Sequence, residues 1–173
     1  HARTRTRLQD RRALAERLPQ KSGAGTIARA MSSGDPGPAS AWCEARLERG
    51  DADDVLEVAE FLASRPGFRL LATEACLWQG ALVEAHAALE GVPAEERSSR
   101  WHALAAWWAE SSGFAKRAAS ELAEVTRAAV PDRLAARCDL VAAELAGRSG
   151  DRLGEKACLT RAAAWPGPTQ LEA

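Results

Sequence analysis

Glycine and proline alternate along this chain at a spacing that leaves room for little except paired helices. Gly50, Gly80, Gly113 and Gly150 stand 30, 33 and 37 residues apart, and Pro66, Pro93, Pro131 and Pro166 stand 27, 38 and 35 apart. One helix-length segment separates each glycine from the next proline, and another separates each proline from the next glycine. Glycine takes the left-handed backbone that stops a helix. Proline is tolerated at a helix start and prevents the preceding helix from continuing. The alternation predicts four hairpins: 38–49 with 51–64, 67–79 with 80–90, 94–112 with 114–129, and 131–148 with 151–164. Turns this short force the two helices of a pair to run antiparallel.

Composition points the same way. Ala, Leu, Arg and Glu dominate, and all four favour helix. Aromatic residues are only 5%, Tyr and Asn are absent, and Ile27 is the only isoleucine, so a large sheet has little to be built from. Lysine occurs only at 21, 116 and 156. Arginine and alanine enrichment with so little Lys, Ile, Asn and Tyr reads as the codon bias of a GC-rich, bacterial genome, so the alanine content is no functional signal.

Within the third hairpin, Trp101, Leu104, Ala105 and Trp108 occupy i, i+3, i+4 and i+7, a single helical face. Gly113, Ala118, Leu122 and Pro131 follow. Phe68, Leu71, Ala72 and Ala75, then Gly80, Ala85, Leu89 and Pro93, give a fainter copy. This arrangement resembles the tetratricopeptide-repeat family: bulky and small residues on the first helix, a glycine turn, a small residue on the second helix, and a closing proline. The small residues let helices approach while the bulky ones fill the space beside them. The match is best over 94–131. In the first hairpin Arg46 stands near the second aromatic position, and the fourth has Leu134, Cys138 and Val141 with no aromatic. The resemblance implies an all-α, right-handed array of antiparallel helical hairpins, a TPR-like α-solenoid of about four hairpins, whose degenerate ends act as caps. A related hairpin array and a closed bundle fit the same spacing.

Charge divides the chain in two. Residues 1–31 hold 8 Lys+Arg against 2 Asp+Glu, and the remainder holds 15 against 22, although the whole chain is only −1. We therefore expect a basic helix and a Gly/Ser/Pro-rich linker over 1–36, then the repeat domain over 37–173. The arm reads as a charged linker, as a contact for nucleic acid through residues 1–31, or as a segment that folds back on the acidic repeats of its own or a neighbouring chain. It has no aromatics interleaved for base stacking. The chain starts at His1, which reads as a domain cut from a longer protein.

Little in the sequence points to catalysis. His86 and His102 are sixteen residues apart with no partner at i+4, and zinc sites favour closely spaced ligands. Asp51, Asp53 and Asp54 lack the glycine and final glutamate of a calcium loop, and suit a helix start instead. Ser22–Thr26 is glycine-bearing but has no strand before it and no lysine after it. Glu95 and Glu96 read as a solvated helix start. Cys43, Cys76, Cys138 and Cys158 lie among apolar neighbours with no CxxC pair, as buried thiols do; they suggest a reducing, cytoplasmic setting. No apolar run is long enough to cross a membrane.

The expected function is therefore non-catalytic: a scaffold binding a peptide or partner protein, with no cofactor and no metal. The alternative is a sensor or oligomerisation arm of a larger signalling or transcription regulator, with self-association. Helical phase places Ser40, Glu44, Arg69, Thr73, Ser99, His102 and Asp139 on the lining of the first helices. Trp42, Trp78, Trp101 and Trp108 fall on core faces. Trp107 lies off that stripe, and either packs against the adjacent hairpin or stands exposed as a partner anchor.

Overall fold

A computed structural model describes residues 35, 37–62 and 67–165. The expected arm and linker therefore lie outside the described residues, apart from Asp35. Every regular element among the described residues is helical. In order they are α1 (Gly37–Leu47), α2 (Ala52–Phe61), α3 (Phe68–Trp78), α4 (Leu82–Glu90), α5 (Ser99–Ser111), α6 (Ala115–Ala123), α7 (Asp132–Ser149) and α8 (Arg152–Ala162). Short 3-10 turns at Ala94–Glu96 and Arg127–Ala129 precede α5 and α7. No helix among the described residues is long and apolar enough to cross a membrane.

All four intra-pair turns share one geometry. Gly50, Gly80, Gly113 and Gly150 have φ between 72° and 81°. In each turn the residue after the glycine donates its N–H to a carbonyl five residues back: Asp51 to Arg46, Ala81 to Cys76, Phe114 to Ala109 and Asp151 to Ala146, at 2.7–3.0 Å. The glycine N–H itself bonds three residues back. This paired motif satisfies carbonyls that the helix end leaves open.

Two helices are shorter than expected. Helix α5 begins at Ser99 rather than at 94, because Arg97 and Ser98 are extended. Residues 94–98 offer no apolar side chain larger than Ala94 for another helical turn to bury. Helix α6 ends at Ala123 rather than at 129; the chain turns extended at Thr126, whose N–H donates to Ser99 Oγ at 3.1 Å.

Packing follows the order of the chain. Each of α2, α4 and α6 touches the first helix on either side, and the first helices α1, α3, α5 and α7 touch one another in succession. Phe68, Leu71 and Ala75 join the core of the first two pairs, and Trp101, Leu104, Ala105 and Trp108 join that of the later ones. Leu56 and Trp78 pack against both cores. Two buried indole N–H groups are satisfied: Trp101 Nε1 donates to Leu89 O at 3.1 Å and Trp108 Nε1 to Leu82 O at 3.0 Å. Trp78 Nε1 is buried with no partner among the described residues.

Candidate partner-binding face

The first helices of all four pairs contribute to one charged cluster. Arg133, at the start of α7, is buried with 1% of its side chain exposed, and so is Glu74 of α3. Arg133 Nε donates to Glu74 Oε1 at 2.6 Å and Nη2 to Glu74 Oε2 at 3.1 Å, a two-pronged pair. Its Nη1 donates to Glu48 at 2.6 Å, just beyond α1, and Nη2 also bonds Glu44 of α1. Arg100 of α5 completes the group: its Nη2 donates to Glu74 Oε2 at 2.6 Å and its Nη1 bonds Glu44.

The cluster sets its own protonation. Burial by itself would raise the Glu44 carboxyl, but hydrogen bonds and charge from Arg100 and Arg133 outweigh it and hold it below the usual range. Burial disfavours the Arg133 cation, yet Glu74 and Glu44 together push its pKa upward. Glu44 and Arg133 thus each hold the other in its charged form. Glu44 and Glu48 form the solvent edge of the cluster, while Glu74 and Arg133 form its floor.

Of the residues expected to line the first helices, only Glu44 belongs to this cluster. Ser40 is half-buried on α1. Arg69 donates Nη1 to Gly91 O, beyond α4. Thr73 is fully buried and returns its hydroxyl to Arg69 O at 2.8 Å, so it cannot line a groove. Ser99 accepts from Thr126 N–H, and His102 Nδ1 lies 2.8 Å from Glu121 Oε2 on α6. Asp139 is buried between Arg127 and Arg161, with Arg161 Nε at 3.0 Å. Arg69, Ser99, His102 and Asp139 are thus engaged by second helices and loops.

Trp107 is also corrected: as an exposed anchor it would need solvent access, but it is 3% exposed. Its ring meets Trp78 edge-on at 5.2 Å, and Arg137 Cζ lies 4.4 Å from its centroid. It packs between the first helices of the second and fourth pairs. The aromatic surface lies elsewhere, where His86 stacks on Trp108 at 4.2 Å and Phe114 is half exposed beside it.

Sequence reasoning missed Arg100, Arg133, Glu74 and Glu48. A signal existed. Glu44 and Glu74 each stand six residues ahead of a turn glycine, and Trp107 and Glu144 hold the same place in the third and fourth pairs. Counting from the glycines would have added Glu74 to Glu44, whereas Arg100, Arg133 and Glu48 share no such spacing.

Beside this face, at the fourth pair, a cavity of about 520 Å³ opens between α5, α7 and α8. Its walls include Glu110, Arg137, Leu140, Glu144, Arg148 and Leu159. Comparison with known proteins yields no matching family model, no matching curated protein and no matching solved structure.

Proposed function

We propose that residues 37–173 are a TPR-like array of helical hairpins that binds a partner protein or peptide and carries out no reaction of its own. The observation that carries this reading is the repeated first-helix position of Glu44, Glu74 and Glu144, six residues ahead of the turn glycine in three of the four pairs, with buried Trp107 at the third. A face built from the same place in successive repeats meets an extended ligand at regular intervals, which is how repeat arrays bind. Its inner part is already occupied by Arg100 and Arg133, so the contact surface is the rim. Glu48 is 42% exposed there and Glu144 63% exposed.

The test is affinity capture from lysate of the source cells, read by quantitative mass spectrometry. It compares the full chain, a chain lacking residues 1–36, and Glu48→Gln with Glu144→Arg. A discrete protein kept without the arm and lost on charge change supports the rim. A partner kept by the charge variant removes it. Capture that needs the arm, or brings down only nucleic acid, moves function to residues 1–31.

The second reading is a sensor arm, and the cavity at the fourth pair favours it.

A further inference from the structure

In the cavity beside α7, one guanidinium has no ion-pair partner among the described residues. Arg148 Nη2 is 2.8 Å from Glu110 and 3.9 Å from Glu144, and Arg152 Nη1 is 2.8 Å from Glu155. Arg137 makes no such pair among the described residues. Glu110 and Glu144 act on it only through space, and its Nε is buried with no hydrogen-bond partner. Burial disfavours its charged form, and its pKa is lowered despite those two carboxylates. What holds the guanidinium is the face of Trp107, 4.4 Å below it.

A guanidinium offers five N–H donors in a planar fork that matches a carboxylate. Here the fork is fixed by an aromatic floor rather than by an acid, so its hydrogen-bonding capacity is not consumed. Leu140, Val141, Ala143 and Leu159 give the wall an apolar part, beside the Arg148–Glu110 and Arg152–Glu155 pairs that answer each other's charge. The volume of about 520 Å³ lies in the range of small-molecule pockets, which combine apolar walls with a few convergent polar groups. Glu144 is at the rim and mostly in solvent, where water and salt screen it.

We propose that this cavity binds a small organic acid, a carboxylate on an apolar body, with Arg137 taking the carboxylate and Leu140, Val141 and Leu159 taking the body. The site adds a ligand-binding function to the scaffold reading and does not depend on it. Binding would fix α7 against α5 and α8, the three helices that wall the cavity.

The experiment is isothermal titration of the full chain with 4-phenylbutyrate and octanoate at millimolar concentration. 4-Phenylbutanamide serves as the uncharged isostere and inorganic phosphate as an anion without an apolar body. Tryptophan fluorescence follows the same titrations, since Trp107 lies under the guanidinium. The expected result is saturable binding of at least one acid, at least tenfold tighter than the amide or phosphate, and lost in Arg137→Gln. Should Arg137→Gln fail to fold, Leu159→Asp gives the independent arm. It places a negative charge on a wall residue that is 46% exposed, and abolishes acid binding while leaving the circular dichroism unchanged. Equal binding of acid and amide, equal binding of phosphate, no binding of either acid, or unchanged binding in the folded variants each overturns the proposal.

Discussion

Replacing Arg133 by methionine tests whether the charged cluster supports the fold. The substitution keeps an unbranched chain of similar length and removes the cation. Glu74 is then left 1% exposed with Arg100 as its remaining partner, and Glu48 and Glu44 lose one contact each. Removing one member of a buried ion pair costs about 3–5 kcal/mol, because the other charge remains desolvated. With a urea m-value of about 2 kcal/mol/M, the unfolding midpoint should fall by about 1.5–2.5 M. Glu74→Leu alone should also be harmful, since it leaves buried Arg133 with only the partly exposed Glu44 and Glu48. The double variant Glu74→Leu/Arg133→Met should recover much of the loss, because an apolar pair replaces a buried ionic one at small net cost. The assay is urea unfolding followed by tryptophan fluorescence and by far-ultraviolet circular dichroism. High salt should leave the difference largely intact, as buried pairs are screened little. A loss below about 1 kcal/mol for Arg133→Met, or a double variant as unstable as the sum of the singles, would refute this reasoning.

Three further outcomes are expected. Glu44 has its carboxyl held below the usual range, so its stabilising contribution is full above the unfolded value of about 4.3 and disappears as pH falls through the lower folded value. Urea midpoints measured between pH 7 and pH 3 should drop steeply below about pH 4 in the native chain and less steeply in Glu44→Gln. Gly113→Ala should cost about 1–2 kcal/mol by thermal or urea unfolding, because φ is +81° and no atom lies within 4 Å of the added Cβ, leaving backbone strain as the whole effect. Burial pushes the Cys43 and Cys138 thiols up to about 12. At pH 8 only about one in 10⁴ of each is thiolate, so a thiol reagent should label half-exposed Cys158 well before either. Mass mapping of labelled peptides against time checks that order.

The turns were legible in the sequence because their information is local. A positive φ selects glycine at one position, and Gly50, Gly80, Gly113 and Gly150 all occupy such positions. Helix ends were less legible, since Arg97 and Thr126 are extended for reasons of packing and hydrogen bonding outside their own helices. The face of each helix was hardest to read. In α5 the alanines at 103, 105, 106 and 109 are all buried, as are Trp101, Leu104, Trp107 and Trp108, so the helix is apolar nearly all round. A pattern like that does not define phase, and an error of one residue turns the face by about 100°. Choosing Ser99 and His102 instead of Arg100 is that error. The pairing of Arg133 with Glu74 joins residues 59 apart and leaves no local trace.

Arg133 also alters how the fold should come apart. In an array whose units touch only their neighbours, stability is a sum of local terms and the ends fray separately. Arg133 reaches back 85 residues to Glu48 and 89 to Glu44, from the fourth pair to the first. Losing the first pair therefore leaves a buried cation short of two acids at the far end of the chain. Fraying at one end carries a penalty at the other, so hydrogen exchange in α1 and α7 should report one shared opening rather than two independent ones.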